Sequence, residues 1–275
     1  MRYIAPARAE LDSSIFSHPV FETLEAQHLA LCMQADWPEV ERLNYVWHAP
    51  QNRQGSLFRF VAQESIDDGQ HYEQRIYHHA VVATRSENWH DLFNAMIWMR
   101  YPLIKMALNA RQVEDMVAFG TKQRTRSQCA MTHFDEAGAI IRCSDPEMLA
   151  AWNEHDWEAF FSAWPRVMAE SGIQVWLFGH SIYEHALNPE IALVAKALVI
   201  DSTESLSNEF IDQYLAKQIN NQHCLMDPQE LRPIPLSGIP YWHKLFGQVD
   251  FFQRVPCFQP KRIGKTYPEP LTIQY

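Results

Sequence analysis

The chain has 275 residues and a formal net charge of −10. This acidic balance disfavours nonspecific binding to nucleic acid and association with anionic membranes, because both depend on a positive surface field. Hydrophobic residues make up 47% of the chain and aromatic residues 12%, enough for a sizeable core, whereas nine glycines are few for glycine-rich phosphate loops or repeats.

The five cysteines lie far apart in the sequence, and no C-x-x-C motif occurs. This usage indicates reduced thiols in a reducing compartment, not a disulfide framework or a zinc knuckle. The N-terminus has no apolar core of signal-peptide length, and no stretch approaches the roughly 18 apolar residues of a membrane span. We therefore predict a cytoplasmic protein without membrane association, and the oligomeric state is left open.

In the first third of the chain, the spacing of apolar residues changes from one typical of helices to one typical of strands. Residues 1–18 are predicted to form an irregular arm, and helical spacing follows over 19–33 and 37–47. Two apolar runs, 57–62 and 72–83, then predict strands. The D-D-G sequence between these runs favours a tight turn, so we expect them to form a hairpin.

The longest apolar segment that suits a helix covers 88–109 and is interrupted at Pro102, which stops or kinks one helix and can start another. A helix that is apolar nearly all round is buried. His90, Asp91 and Asn94 nevertheless form one polar patch on it, although Asp91 also suits a helix-capping pair. Buried polar groups need hydrogen bonds, so the patch either stabilises the fold or lines a site.

Residues 128–142 predict a second hairpin, with C-A-M-T-H-F and A-I-I-R on either side of a D-E-A-G link. The paired carboxylates of Asp135 and Glu136 are of a type used for metal binding or acid–base chemistry. Aspartate at the start and glycine at the end of a four-residue link is, however, typical of turns. We interpret the pair as turn residues and keep the functional role as the alternative.

Helical patterns over 144–153 and 156–164 precede a continuous apolar run over 173–178, which predicts a buried strand. The sequence G-H-S-I-Y-E-H follows directly, and loops at strand ends often carry reactive groups on a rigid frame. His180 and Glu184 face the same way on a helix, which suits two ligands of one metal ion or a histidine oriented by a carboxylate. The alternative is a helix-terminal histidine with a salt-linked glutamate.

A further strand is predicted over 195–201 and an amphipathic helix over 205–219. The remaining chain is rich in proline and aromatic residues, so we predict that 227–275 forms an extended arm laid over the domain. The elements together predict one α+β domain covering residues 1–275. Its mostly antiparallel sheet would contain two hairpins and the two later strands, with the 88–109 helices packed on it.

Five landmarks, in this order, carry a resemblance to a known family. They are T-R-S-E-N-W-H-D-L-F-N-A at 84–95, Y-P-L-I-K-M-A-L-N at 101–109, T-H-F-D-E-A-G at 132–138, F-G-H-S-I-Y-E at 178–184 and R-P-I-P-L-S-G-I-P-Y-W at 232–242. Together they resemble the bacterial family called domain of unknown function 3025, over about residues 58–260. The resemblance implies a cytosolic, mostly proteobacterial protein and implies no particular reaction.

Our first functional hypothesis is a metal-assisted or histidine-centred hydrolase that acts on a small-molecule substrate. His90, His180 and Glu184 are a sufficient ligand set for zinc or another divalent ion, with an open position for water. Without a metal ion, one histidine would be the general base and Glu184 its orienting partner. Asn94 could donate a hydrogen bond to a developing oxyanion. A nuclease belongs to this class, but the acidic charge counts against it.

Two other hypotheses stay open. The first is a non-catalytic protein whose aromatic tail and helix patch bind a small ligand or a partner segment. The second is a structural role, in which the same histidines, Asp91, Asn94 and Glu184 form a satisfied internal network. Convergence of the histidines and Glu184 in an open cavity would favour an enzyme. The motifs of serine hydrolases, P-loop nucleotidases and dinucleotide-binding enzymes do not occur.

Overall fold

The structure is a computed structural model that describes residues 3–273. Residues 1, 2, 274 and 275, at the outer ends of the two predicted arms, lie outside this part. The helices of the described part are α1 Pro19–Glu22, α2 Ala26–Cys32, α3 Val40–Val46, α4 Tyr72–His79, α5 Trp89–Arg100, α6 Pro102–Phe119, α7 Arg126–Ala137, α8 Pro146–Glu154, α9 Trp157–Ala169, α10 His180–Ala186, α11 Asn208–Asn220 and α12 Phe251–Arg254. Its strands are β1 Arg59–Ala62, β2 Val81–Thr84, β3 Gly138–Cys143, β4 Ile173–Leu177, β5 Val194–Asp201, β6 Arg232–Pro235 and β7 Leu271–Thr272.

The strands form a parallel pair and a mixed five-stranded sheet. β1 runs parallel to β2, with Phe60 opposite Val82. In the larger sheet the order is β4-β3-β5-β6, and β7 also pairs with β5. β3 is antiparallel to β4 and parallel to β5, whereas β5 is antiparallel to β6 and parallel to β7. The predicted α+β class is confirmed, but the expectation of a mostly antiparallel sheet is wrong.

The first predicted hairpin is wrong because its second half is mainly a helix. β1 is the expected first strand, but the chain then forms α4 and only afterwards β2, so it returns in parallel. The Asp68 carboxylate, which we interpreted as part of a turn, binds the guanidinium of Arg75 inside α4. His71 caps the helix by accepting the backbone N–H of Glu73, and Ile76 faces the core. The aspartate therefore leads into a helix, not across a hairpin.

The second predicted hairpin is also wrong, because most of its first strand and its link are α7. Thr125 and Gln128 form a capping box at the start of this helix. Ala130, Met131 and Phe134 are fully buried at helical spacing, which explains why the segment docks as a helix. The D-E-A-G sequence is the last turn of α7 and the first residue of β3. Asp135 and Glu136 thus project from a helix.

The long apolar segment forms two helices, as its start and stop signals suggest. The Asn88 side chain accepts the backbone N–H of Asp91 and so caps α5. Pro102 is the first residue of α6. The carboxylate of Asp212, on α11, accepts the backbone N–H of Ile104 at 2.8 Å and holds the start of α6 against that helix. The strands predicted over 173–178 and 195–201 are present as β4 and β5.

The two ends of the described chain pack on this core. Near the N-terminus the guanidinium of Arg8 contacts the adjacent rings of Trp37 and Trp89, 4.8 and 4.9 Å from their centroids. The C-terminal segment supplies β6, β7 and α12. None of the helices within residues 3–273 combines the length and apolar character needed to cross a membrane. That the whole chain is one domain with two arms stays a prediction.

Arg142 on β3 provides a first test of the core. Its side chain is 0% exposed, and its guanidinium donates to Gln174 Oε1 at 2.8 Å, to the Ser202 carbonyl at 2.9 Å and to the Ser171 carbonyl. We expect Arg142→Met to lower the free energy of unfolding by about 1–3 kcal/mol, because three partly buried acceptors lose their donor. Urea unfolding measures this change. Arg166→Met, which removes an exposed arginine, should keep the wild-type midpoint. An unchanged midpoint for Arg142→Met would contradict the prediction.

Candidate functional site

The candidate site lies where α7 ends and α10 begins. β3 and β4 are neighbours, so the helix before the first and the helix after the second meet at the same end of the sheet. The Gly138 carbonyl accepts the N–H groups of Phe178 and Gly179 at 3.0 and 2.8 Å. A Cβ atom on Gly179 would overlap the backbone of Ala137 and Gly138, so a glycine is needed there. α5 packs against α10 and completes the site.

Two histidines face each other at this junction. His180 is the first residue of α10 and His90 lies in the first turn of α5. Their Nε2 atoms are 3.0 Å apart and their ring planes are nearly perpendicular, at 83°. His180 is buried, at 3% exposure, whereas His90 is partly accessible. The pair therefore points its ring nitrogens at one common position.

The carboxylate of Glu184 orients His90. Its Oε2 lies 2.8 Å from Nδ1 of His90, and a carboxylate can only accept, so Nδ1 carries the proton. The Nε2 atom of neutral His90 then presents its lone pair to His180. If His180 is protonated at Nδ1, two lone pairs face each other across 3.0 Å, an arrangement that a cation between them would stabilise. If it is protonated at Nε2, the two rings share a hydrogen bond.

Glu136 adds a second carboxylate to the same position. Its Oε2 lies 3.5 Å from Nε2 of His180 and accepts a hydrogen bond from the Ser181 hydroxyl. One ligand atom from each of His90, His180 and Glu136 lies within 4.8 Å of the other two. We call these three residues the His–Glu cluster. Two imidazoles and one carboxylate at this separation match the ligand types of zinc and iron(II) sites.

The predicted site residues are distributed between this cluster and its surroundings. His90 and His180 meet directly, and Glu184 binds the outer nitrogen of His90 instead of facing the shared position. Asn94 lines the same cavity, where its Nδ2 donates to Tyr72 Oη at 3.3 Å. Their catalytic and metal-binding roles stay predictions.

Asp91 makes its contacts away from the cluster. Its carboxylate accepts the backbone N–H of Arg85 at 2.7 Å and forms an ion pair with the guanidinium of the same residue at 2.6 Å. The helix-capping interpretation holds for its backbone N–H, which Asn88 accepts. Asp91 therefore fixes the entry to α5.

Beside the cluster, the buried Lys105 forms an ion pair with the partly exposed Asp135, which the sequence analysis did not predict. Nζ of Lys105 donates to Asp135 Oδ1 at 2.6 Å and to Asn94 Oδ1 at 2.8 Å, and Lys105 is only 5% exposed. Burial raises the pKa of the Asp135 carboxyl, but the positive charge of Lys105 above all opposes this, and the net pKa lies below its usual value. The Asp135 carboxyl therefore stays ionised, and its ion pair with Lys105 fixes part of the cavity wall.

The pKa values of the two histidines are shifted in opposite directions. Burial is the main reason that the pKa of His180 falls to about 4, so this ring is neutral at pH 7. Burial also lowers the pKa of His90, but the hydrogen bond to Glu184 and the charge of Glu136 outweigh it, and the net pKa is raised. Glu184 correspondingly has a lowered pKa. The site thus contains one histidine that is neutral at pH 7, His180, and one whose protonated form is stabilised by nearby carboxylates, His90.

A cavity of about 350 Å³, which we call the site cavity, opens onto the His–Glu cluster. It runs past Lys105 and Asn94 to Tyr72 and Glu73 at the start of α4, and its wall consists largely of charged, amide and hydroxyl side chains. A ligand of the size of a metabolite would fit, and it would meet polar groups along its length. The cavity connects the histidine pair with solvent.

The family is established by comparison of sequences. The profile of a family described as "Protein of unknown function (DUF3025)" matches residues 58–262, most of the chain. The chain therefore belongs to the DUF3025 family, as the five sequence landmarks suggested. Neither a curated protein nor a solved structure matches it. The matched range includes the whole His–Glu cluster and Lys105.

Proposed function

We propose that the protein is a metal-dependent hydrolase whose divalent ion is held by His90, His180 and Glu136. The observation that carries the proposal is the 3.0 Å separation of two imidazole Nε2 atoms that face each other beside a carboxylate. These side chains come from three helices, and a cavity reaches them from solvent. A purely structural pair of histidines does not need such access.

The distances support coordination of one ion. Histidine nitrogens lie about 2.0–2.1 Å from zinc, so two of them 3.0 Å apart would subtend an angle of about 91–97° at a shared ion. A tetrahedral angle would require a separation of about 3.3–3.4 Å at the same bond lengths. The spacing therefore suits an ion with near-perpendicular ligands and needs only a shift of a few tenths of an ångström for tetrahedral zinc.

Surrounding residues support two of the three proposed ligands, His90 and Glu136, whereas the buried Nδ1 of His180 has no hydrogen-bond partner among the described residues. Histidine ligands usually donate their other ring N–H to a carboxylate, which fixes the ring and raises its basicity. Glu184 occupies this position for His90, and the Ser181 hydroxyl binds the carboxylate of Glu136. We therefore assign Glu184 an orienting role and Glu136 the ligand role.

This ligand set supports hydrolysis. Two histidines and a carboxylate leave coordination positions for water and for a substrate carbonyl or phosphoryl oxygen. A divalent ion held by His90, His180 and Glu136 would supply an activated water for hydrolysis, because such an ion lowers the pKa of bound water towards about 7. Asn94, on the same helix as His90, lines the cavity and is the amide that could bind a developing oxyanion.

A second candidate function is a non-catalytic protein that binds a small ligand in the site cavity. The pairing of charges in its wall favours this function. Arg85 is neutralised by Asp91 and Lys105 by Asp135, so much of the polar lining is already satisfied without a metal ion. Such a protein would bind its ligand equally well in the presence of a chelator.

Elemental analysis of the purified protein tests the metal site. We expect about one equivalent of zinc, iron or manganese in wild type and its loss in His90→Ala and His180→Ala, with both variants still folded by circular dichroism. His185→Ala is the matched control, because it removes an imidazole from the same helix that packs on Tyr3 instead. Wild-type protein that stays metal-free after incubation with these ions would refute the proposal, as would metal retained in both histidine variants.

A further inference from the structure

Among the residues that the structure describes, Glu73 is a carboxylate of the site cavity without an ion-pair partner. It lies in the first turn of α4, and its Oε2 accepts a hydrogen bond from Nδ2 of Asn109 at 2.6 Å. The same amide nitrogen donates to the backbone carbonyl of Glu73 at 2.9 Å, so the 5% exposed Asn109 fixes the residue twice. The carboxylate is therefore held in place at the wall of the cavity that also contains the His–Glu cluster.

The lysine and arginine side chains that line the cavity either form ion pairs with other residues or lie at the rim of the cavity. Arg85 pairs with Asp91 and Lys105 with Asp135. Arg124 lines the cavity from the exposed loop after α6. Within residues 3–273, Glu73 has no lysine, arginine or histidine nitrogen within ion-pair distance. The side-chain hydrogen bond to this carboxylate comes from the neutral amide of Asn109, while Lys105 and Arg124 act on its charge from beyond ion-pair distance.

An ionised carboxylate without a counter-cation is unfavourable in a desolvated place. Burial raises the pKa of the Glu73 carboxyl, and the hydrogen bond from Asn109 only partly offsets this effect. Asp135 raises it further, while Lys105 and Arg124 oppose it. A cationic ligand group that entered the cavity would neutralise the negative charge of the Glu73 carboxylate and donate a charge-assisted hydrogen bond to it.

We propose that Glu73 binds an ammonium group of the substrate, while the group to be hydrolysed lies at the His–Glu cluster at the other end of the site cavity. The substrate class is therefore a small molecule with a primary amine separated by a short chain from an ester, amide or similar group. This inference rests on the proposed hydrolase function and adds the part of the substrate that is recognised. The amide and hydroxyl groups between the two ends suit a polar connecting chain.

Two series of hydroxamic acids test this inference by calorimetry on protein loaded with Zn²⁺. A hydroxamate chelates an active-site metal ion and so anchors each probe at the His–Glu cluster. One series ends in a primary ammonium and the other in a methyl group, with chains of about two to six methylenes to span a cavity of this size. In wild type we expect the best ammonium probe to bind about tenfold tighter than its methyl counterpart, as hydrogen bonds to charged groups allow.

The variant Glu73→Gln keeps the shape of the side chain and removes its charge. We expect the ammonium preference to fall to about one, with zinc content and affinity for the methyl probes unchanged. Glu147→Gln, an exposed position on α8, is the matched control and should retain the full preference.

The possible failures are distinguishable. Methyl and ammonium probes that bind wild type equally would overturn the ammonium site and leave the metal site standing. A preference that emerges only in Arg124→Gln would also overturn it, because Arg124 would then be the partner of Glu73 in solution. If zinc and all probes fail to bind, the proposed function is wrong and the ammonium site with it. The comparison of ammonium and methyl probes uses the wild-type protein, so it does not depend on whether any variant folds.

Discussion

Gly179→Ala is expected to abolish metal binding and to lower the free energy of unfolding by about 3 kcal/mol, at the upper end of the usual cost of overpacking. The added methyl group would overlap main-chain atoms of Ala137 and Gly138, which cannot rotate away as a side chain can. Ala137 follows Glu136 directly, and Gly179 precedes His180. Any movement that relieves the overlap therefore separates two of the proposed ligands.

Urea unfolding and zinc titration of the same samples measure the two effects of this substitution. Gly172→Ala is the matched control, because its methyl group would crowd the side chain of Val167 in the turn before β4, away from the His–Glu cluster. The control should lose some stability and still bind zinc as wild type does. Wild-type zinc affinity in Gly179→Ala would contradict the idea that this junction sets the distance between the ligands.

The roles of the two glutamates can be separated by replacing each with glutamine. Loss of an orienting carboxylate typically weakens metal binding about 10–100-fold, so we expect a loss of that size in Glu184→Gln. Glu136→Gln replaces a proposed ligand by a neutral amide, and we expect a loss greater than 100-fold. Zinc affinity measured by competition with a chromophoric chelator gives both values. Glu147→Gln should bind zinc as wild type does.

A greater loss of zinc affinity in Glu184→Gln than in Glu136→Gln would favour the ligand set inferred from the sequence. If Glu184→Gln loses the ion and Glu136→Gln keeps it, then His90, His180 and Glu184 hold the metal. His90 would then have to rotate, because its Nδ1 now faces Glu184 and its Nε2 faces His180. Equal and small losses in both variants would argue against a carboxylate ligand altogether.

The sequence predicted those elements whose signals are local and unambiguous. The asparagine before α5, Pro102 at the start of α6 and the continuous apolar run of β4 each predicted an element that the structure contains. The two hairpins failed because Asp-Gly and D-E-A-G also occur where helices begin and end. Thr125 and Gln128 did provide a readable capping signal for α7. The parallel pairing of β1 with β2 depends on tertiary contacts and has no local signal in the sequence.

The candidate site was predictable in part for the same reason. His90 and His180 stood out because one lies in an otherwise apolar helix and the other follows a buried strand. Glu136 was noticed but assigned to a turn, and only the helical conformation of α7 turns it towards His180. A lysine within an apolar segment, Lys105, was the overlooked signal for the ion pair with Asp135. Contacts between segments this far apart in the chain require the tertiary fold.

The spacing of the proposed ligands also has a thermodynamic consequence. Glu136 follows His90 by 46 residues, and His180 follows Glu136 by 44, so an unfolded chain would have to close two long loops to form the site. An ion would therefore bind the native state almost exclusively. At a free concentration one hundred times its dissociation constant it would add about 2.7 kcal/mol to the stability. The ion would act as a reversible cross-link, and the stability of the folded protein would rise with the free concentration of the metal ion.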